Sequence, residues 1–209
     1  MVMKTLLNKV WSKVRFLFFP IRVGDIIPIS SDGFWKFRSA PGRSLKIAAN
    51  LFNKIHGETI VEIGTGIHGK MAGNSMFVWP KRTAAKRIIA LDLEQIRLED
   101  VKKVTPQYPQ VELIECDGIK YLRNFESKID LLYLDFWTPD PEGSIPGTGR
   151  AEAYKEAYDA AKDKMNLHSI ILIDDTDHIH PWKHTYIIPD ARKDGYEVVY
   201  TGRQTLLQR

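Results

Sequence analysis

The sequence predicts an α/β fold: one doubly wound, mostly parallel sheet of seven strands that closes on an antiparallel strand pair. Three observations carry that expectation. From Thr59 onward, short apolar runs alternate with helix-like or loop segments, the arrangement that lays strands side by side and helices across the sheet. The runs are nearly continuous in apolar residues, as strands covered on both faces are. The last two runs, YEVVYTG and QTLLQR, are separated only by a short turn around Gly202, which can join antiparallel strands but cannot hold a crossover.

In chain order, Met3, Leu6, Leu7, Val10, Val14, Leu17 and Phe18 recur at helical spacing, with Lys4, Lys9 and Lys13 mostly on other faces, until Pro20 ends the pattern. Such a basic amphipathic helix suits peripheral contact with an anionic membrane through residues 3–19, or packing on its own domain or a second copy in a homodimer. IRVGDIIPISSDGFWKFRSAPGR reads as a loop with Phe34, Trp35 and Phe37 as anchors, either a lid or a satellite hydrophobic cluster. Residues 1–44 thus form an extension and 45–209 the main domain. SLKIAANLFNKIHG predicts a helix with Leu45, Ala48, Ala49, Phe52 and Ile55 on one face and Gly57 closing it. TIVEIG, KRIIALDL, VELIEC, IDLLYLDF and SIILIDD are the first five strands. AEAYKEAYDAAKDKM is a helix, and a further one is expected near Trp182 to Arg192.

The bulk numbers bound the function. With 209 residues, 44% hydrophobic and 27% charged, the chain is long enough for one substantial core. The net charge of +4 is concentrated in Lys4, Lys9, Lys13, Arg15 and Arg22, ahead of the first acid, so general nucleic-acid binding is not expected. Cys116 has no cysteine partner and lies in an apolar run, as a small buried hydrophobe does. No apolar stretch reaches the roughly 18 residues of a membrane span. No cleavable leader is recognisable either, which points to the cytoplasm, with the membrane's inner face as the alternative.

VEIGTGIHGK places Gly64, Gly66 and Gly69 at the spacing of a dinucleotide-binding turn, and Asp92 follows Gly69 by 23 residues, near the ribose-binding offset. Against NAD, the segment after the third glycine, KMAGNS, is polar and glycine-broken where an apolar helix should begin. In open α/β sheets ligands bind where strands end. Here every parallel run ends on acids: Glu62, Asp92 with Glu94, Asp117, Asp135, and Asp174 with Asp175.

With these residues the chain resembles the class I S-adenosylmethionine-dependent methyltransferases over roughly 45–209. The resemblance implies a Rossmann-like methyltransferase fold, with Glu62, Gly64, Thr65 and Gly66 facing the cofactor's methionine part. It also implies Asp92 on the ribose hydroxyls, Asp117 and Gly118 near the adenine, and Asp135 beside the methyl donor. Asp135, Asp174 and Asp175 on neighbouring strand ends would repel unless a hard cation joined them. This is similar to the metal-dependent O-methyltransferases, implying Mg²⁺ and a small hydroxylated acceptor such as a sugar, antibiotic-like compound or phenol. Asp174-Asp175 departs from the Asp-Asn of many catechol-type members and is more similar to the sugar and antibiotic branch.

A metal would lower the acceptor hydroxyl's pKa and orient its oxygen. His178 and His180 are the candidate bases, and His184 a weaker one. Asp177, His178 and His180 also suit a transition metal by residue type, although their spacing matches no strong motif. Trp137 is placed to wall the pocket, and DFWTPDPEGSIPGTGR to form a flexible rim that gates entry. A metal-free methyltransferase and a non-catalytic binding protein remain the alternatives.

Overall fold

The computed structural model describes residues 27–28, 37–38, 41–66, 75–178 and 181–209. The segment 3–19, Gly69 and His180 lie outside the described residues. A two-residue antiparallel pair joins Ile27–Pro28 to Phe37–Arg38 ahead of the main domain.

The sheet has seven strands: β1 (Thr59–Ile63), β2 (Arg87–Asp92), β3 (Val111–Glu115), β4 (Ile129–Leu134), β5 (Met165–Ile173), β6 (Glu197–Thr201) and β7 (Thr205–Gln208). Their spatial order is β3-β2-β1-β4-β5-β7-β6. The first five are parallel, β7 runs antiparallel to β5, and β6 antiparallel to β7, as the short Gly202 turn requires.

The continuous apolar character of the runs has a direct cause. Successive side chains point to opposite faces, and both faces are covered. Val61, Ile63, Ile89, Leu91, Leu132, Leu134, Ile171 and Ile173 pack on one side against α4 (Gly118–Asn124), α5 (Thr148–Ala161) and α6 (Ile187–Lys193). Ile60, Ile88, Ala90, Leu131, Tyr133, Ile170 and Leu172 pack on the other against α1 (Pro41–Lys54), α2 (Trp79–Arg82) and α3 (Gln95–Val104). Leu45, Ala48, Ala49 and Phe52, the helix face read from the sequence, are fully buried here.

Two boundaries differ from the sequence reading. Helix α1 begins at Pro41, so it runs across the 44/45 division; proline suits a first helical turn, where its missing N–H has no partner to lose. At its other end the left-handed residue is His56, with φ 54°, and Gly57 serves packing instead, because a Cβ there would lie 2.6 Å from the Phe52 ring.

Candidate functional site

The strand order reverses between β1 and β4, and such a reversal leaves a crevice at the carboxyl ends of the strands. Gly64 leaves β1 at φ 86°, and a Cβ on it would stand 2.3 Å from the carbonyl oxygen of Asp135, so only glycine fits that approach. The Gly64 and Thr65 amides both donate to the Leu91 carbonyl, at 2.9 and 3.2 Å, fixing the turn against β2. Gly66 is half-buried just beyond.

Glu62, one residue inside β1, is buried and accepts from Ser75 Oγ at 2.6 Å and Trp79 Nε1 at 2.7 Å. Its carboxylate therefore ties Ser75 and Trp79 to β1. Burial raises its pKa to about 7, against hydrogen bonds that pull the other way. Asp92 ends β2 with its Oδ1 accepting from the Glu94 amide at 2.8 Å, and burial raises its pKa too. Arg97, hydrogen-bonded to Glu94, also feels the charges of Asp92 and Asp135, so these acids share one electrostatic field. Asp117 is exposed and caps α4, accepting from the amides of Ile119 and Lys120 at 2.9 and 3.1 Å. Gly118 lets that helix touch β1, since a Cβ there would meet Ile63 at 2.4 Å.

The expected convergence of Asp135, Asp174 and Asp175 is present: one oxygen from each lies within 4.8 Å of the others. The sequence reading missed what surrounds them. Arg203, in the β6–β7 turn, donates from Nε to Asp175 at 2.9 Å and from its NH2 to Asp174 at 3.2 Å. The Lys183 amine stands 3.5 Å from Asp135 and 3.6 Å from the second oxygen of Asp175. Gln204 donates to Asp174 Oδ1 at 2.5 Å and to Tyr133 Oη at 2.9 Å, and Tyr133 in turn donates to Asp135 at 3.1 Å. Ser44, at the start of α1, donates to the Gln204 side-chain oxygen.

Every oxygen of the three carboxylates thus has a donor or cation of the chain's own. A magnesium ion takes one or two carboxylates at about 2.0 to 2.1 Å, and here each of them would have to give up Arg203, Lys183 or Gln204 to reach it. The residues as folded do not fit it.

Electrostatics follow from this packing. Burial and then the charge of Asp174 hold the Asp135 carboxyl well above its usual range, with Lys183 pulling back, and a third of its side chain stays open to the crevice. Burial pulls the Arg203 guanidinium down, but Asp174 and Asp175 more than offset it. Asp175 sits at φ 51°, uncommon outside glycine, where the chain turns sharply out of β5. On the helix side, Tyr154 donates to the Phe136 carbonyl at 2.9 Å and stacks on the Phe136 ring at 4.4 Å, fixing the backbone beside Asp135.

The rim is closed upon itself. Asp140 accepts from the Gly147 and Gly149 amides at 2.9 and 3.0 Å and from Arg150 at 2.8 Å. The Arg150 guanidinium lies over Trp137 at 5.0 Å and over Trp182 at 4.8 Å, and His178 stacks on Trp182 at 4.4 Å. Trp137 is 66% exposed at the mouth. His178 is exposed and lies with Asp175 and Asp177 in a second group whose ligand atoms fall within 4.8 Å.

Lys183 and Arg203 were legible only through topology. Because β7 runs antiparallel to β5, the β6–β7 turn has to arrive where β5 ends, beside Asp174 and Asp175.

No family model matches the chain. A polyamine aminopropyltransferase from Thermoanaerobacter sp. (strain X514) is 24% identical over 119 residues, 54% of this chain and 40% of that protein. The one from Methanocaldococcus jannaschii is 30% identical over 89 residues, 40% of this chain and 30% of its own length. The chain therefore spans well under half the length of these curated relatives. Among solved structures, a putative rRNA-methylase from Clostridium thermocellum superposes with TM-score 0.54 at 13% identity, over 83% of this chain and 97% of that one. A putative methyltransferase from Streptococcus mutans, in complex with SAH, gives 0.55 at 10% identity, over 78% and 96%. The O-methyltransferase NovP gives 0.55 at 13% identity, over 80% and 78%. The strand order and the single antiparallel strand agree with these likenesses: the chain has the Rossmann-like fold of the class I S-adenosylmethionine-dependent methyltransferases.

Proposed function

We propose that this protein is an S-adenosylmethionine-dependent methyltransferase that methylates a hydroxyl of a small molecule. The observation that carries the reading is the placing of Gly64, Asp92 and Asp135 at adjacent strand ends around the strand-order reversal, in a fold shared with a solved structure in complex with SAH. The Gly64–Gly66 turn and Asp92 would hold the cofactor, and the crevice beside Asp135 would take the acceptor. The cofactor supplies a methyl group on a positively charged sulfur, open to displacement by an oxygen in line with it. What the chain adds is position, exclusion of water and a proton acceptor.

Asp135 suits the last role better than His178. Burial and the charge of Asp174 raise the Asp135 pKa above the usual carboxylate range, which strengthens it as a base, and a third of its side chain is exposed beside Tyr133 and Lys183. His178 is exposed and stacked on Trp182 at the rim. Mg²⁺ takes no part in this reading of the site, because Arg203, Lys183 and Gln204 already partner its expected ligands.

A second reading has specific support: the curated sequence relatives transfer an aminopropyl group, by their name, to polyamines. Against it, Lys183 already stands beside Asp135, where a cationic amine would be drawn. Calorimetric titration with S-adenosylmethionine, with its decarboxylated form and with NAD tests the donor. S-adenosylmethionine binding, together with methyl transfer to hydroxylated acceptors that falls at least 100-fold in Asp135→Asn while cofactor affinity holds, is the expected result. Preference for the decarboxylated donor selects aminopropyl transfer, and binding of NAD alone refutes both.

A further inference from the structure

Three carboxylates at the ends of β4 and β5 require positive charge, and the fold delivers it from two separate segments. Arg203 arrives on the β6–β7 turn, which is locked to the loop carrying the acids: the Thr176 amide donates to the Arg203 carbonyl at 2.7 Å, and the Thr176 and Thr205 hydroxyls meet at 2.8 Å. Its guanidinium bridges the two acids, donating from Nε to Asp175 and from its NH2 to Asp174, one charge-assisted hydrogen bond to each. Lys183 arrives from the loop before α6, is 4% exposed, and lies over the Tyr154 ring at 5.3 Å while reaching Asp135 and Asp175.

We propose that Lys183 and Arg203 are the resident counter-ions of the Asp135–Asp174–Asp175 cluster, standing where a divalent metal would otherwise bind, so that the site is built to work without one. A metal ion drawn in by these acids would have to displace the Arg203 bridge and lie beside the Lys183 ammonium, which is buried. Gln204 reinforces the arrangement, since its amide is committed to Asp174, Tyr133 and Ser44. The two cations neutralise the acids in the same way whichever group the protein transfers.

The test needs no substrate. The full chain, stripped with a chelator, is titrated with Mg²⁺ and Mn²⁺ by calorimetry, and its thermal midpoint is followed with and without each ion. No site-specific binding and an unchanged midpoint are expected. Arg203→Met should lower the midpoint by about 5 °C or more, because it leaves buried carboxylates facing one another. Adding Asp175→Asn should recover a large part of that loss, and Arg203→Lys should fall between. Stoichiometric Mg²⁺ or Mn²⁺ binding to the wild type that disappears in Asp174→Asn would overturn the proposal. So would an Arg203→Met protein as stable as the wild type. If Arg203→Met does not fold, the wild-type titration and the folded Arg203→Lys protein still decide.

Discussion

A carboxylate sealed from water, with two donors aimed at it, is balanced between keeping its charge and losing it, and Glu62 is held at that balance near neutrality. Its pKa is raised from 4.5 to about 7, with burial as the largest cause. The folded chain therefore binds this proton more tightly than the unfolded chain does. The associated stability is fully present below pH 4.5 and is lost as the pH rises toward about 7. The shift corresponds to something on the order of 3 kcal/mol. Glu62→Gln keeps an acceptor for Trp79 and turns an N–H toward Ser75, whose hydroxyl then accepts instead of donating, but it cannot titrate, so its thermal midpoint should fall less between pH 5 and pH 8 than that of the wild type. Parallel midpoint curves for the two proteins would refute this account. The sequence placed Glu62 correctly at a strand end. It could not say that the side chain turns to Ser75 and Trp79, because those partners lie across a connection whose path no local pattern specifies.

At the scale of elements, the rim between β4 and α5 carries more internal hydrogen bonding than its composition suggests. DFWTPDPEGSIPGTGR is rich in proline and glycine and reads as a flexible gate. In the structure Asp140 gathers the segment around itself, and Gly147 and Gly149 are needed because a Cβ on either would run into backbone at 2.1 or 2.4 Å. The amides of Gly147 and Gly149 should accordingly exchange about tenfold faster in Asp140→Asn, where charge-assisted hydrogen bonds become neutral ones, while β4 and β5 amides stay unchanged. Equal exchange in the two proteins would mean that the rim is held by something other than Asp140. The same lesson applies to the β6–β7 hairpin. Its turn reads as a connection, yet it supplies Arg203 and Gln204 to the site.

On the scale of the whole molecule, the sheet and its two helical layers form the scaffold, and ligand binding should be felt throughout it. A ligand present at 100 times its dissociation constant stabilises the folded state by about 2.7 kcal/mol. For a chain of this size, that is a rise in thermal midpoint of about 5 to 10 °C. S-adenosylhomocysteine, which keeps all of the cofactor except the transferable methyl, should produce this shift, and NAD should produce none. The reverse pattern would return the glycine turn to dinucleotide binding. No helix among the described residues is long and apolar enough to cross a membrane.

By itself the sequence determined the layer order of this protein, the seven strands and the acids at their carboxyl ends, because side-chain period, apolar continuity and turn length are local properties that the fold has to respect. It also determined that Asp135, Asp174 and Asp175 would meet, since neighbouring parallel strands end at the same edge of the sheet. Only the tertiary structure decided what neutralises them. That answer depends on where an antiparallel turn and a loop some ten residues beyond β5 come to rest, and charge alone cannot distinguish a bound metal from an arginine and a lysine delivered by the chain.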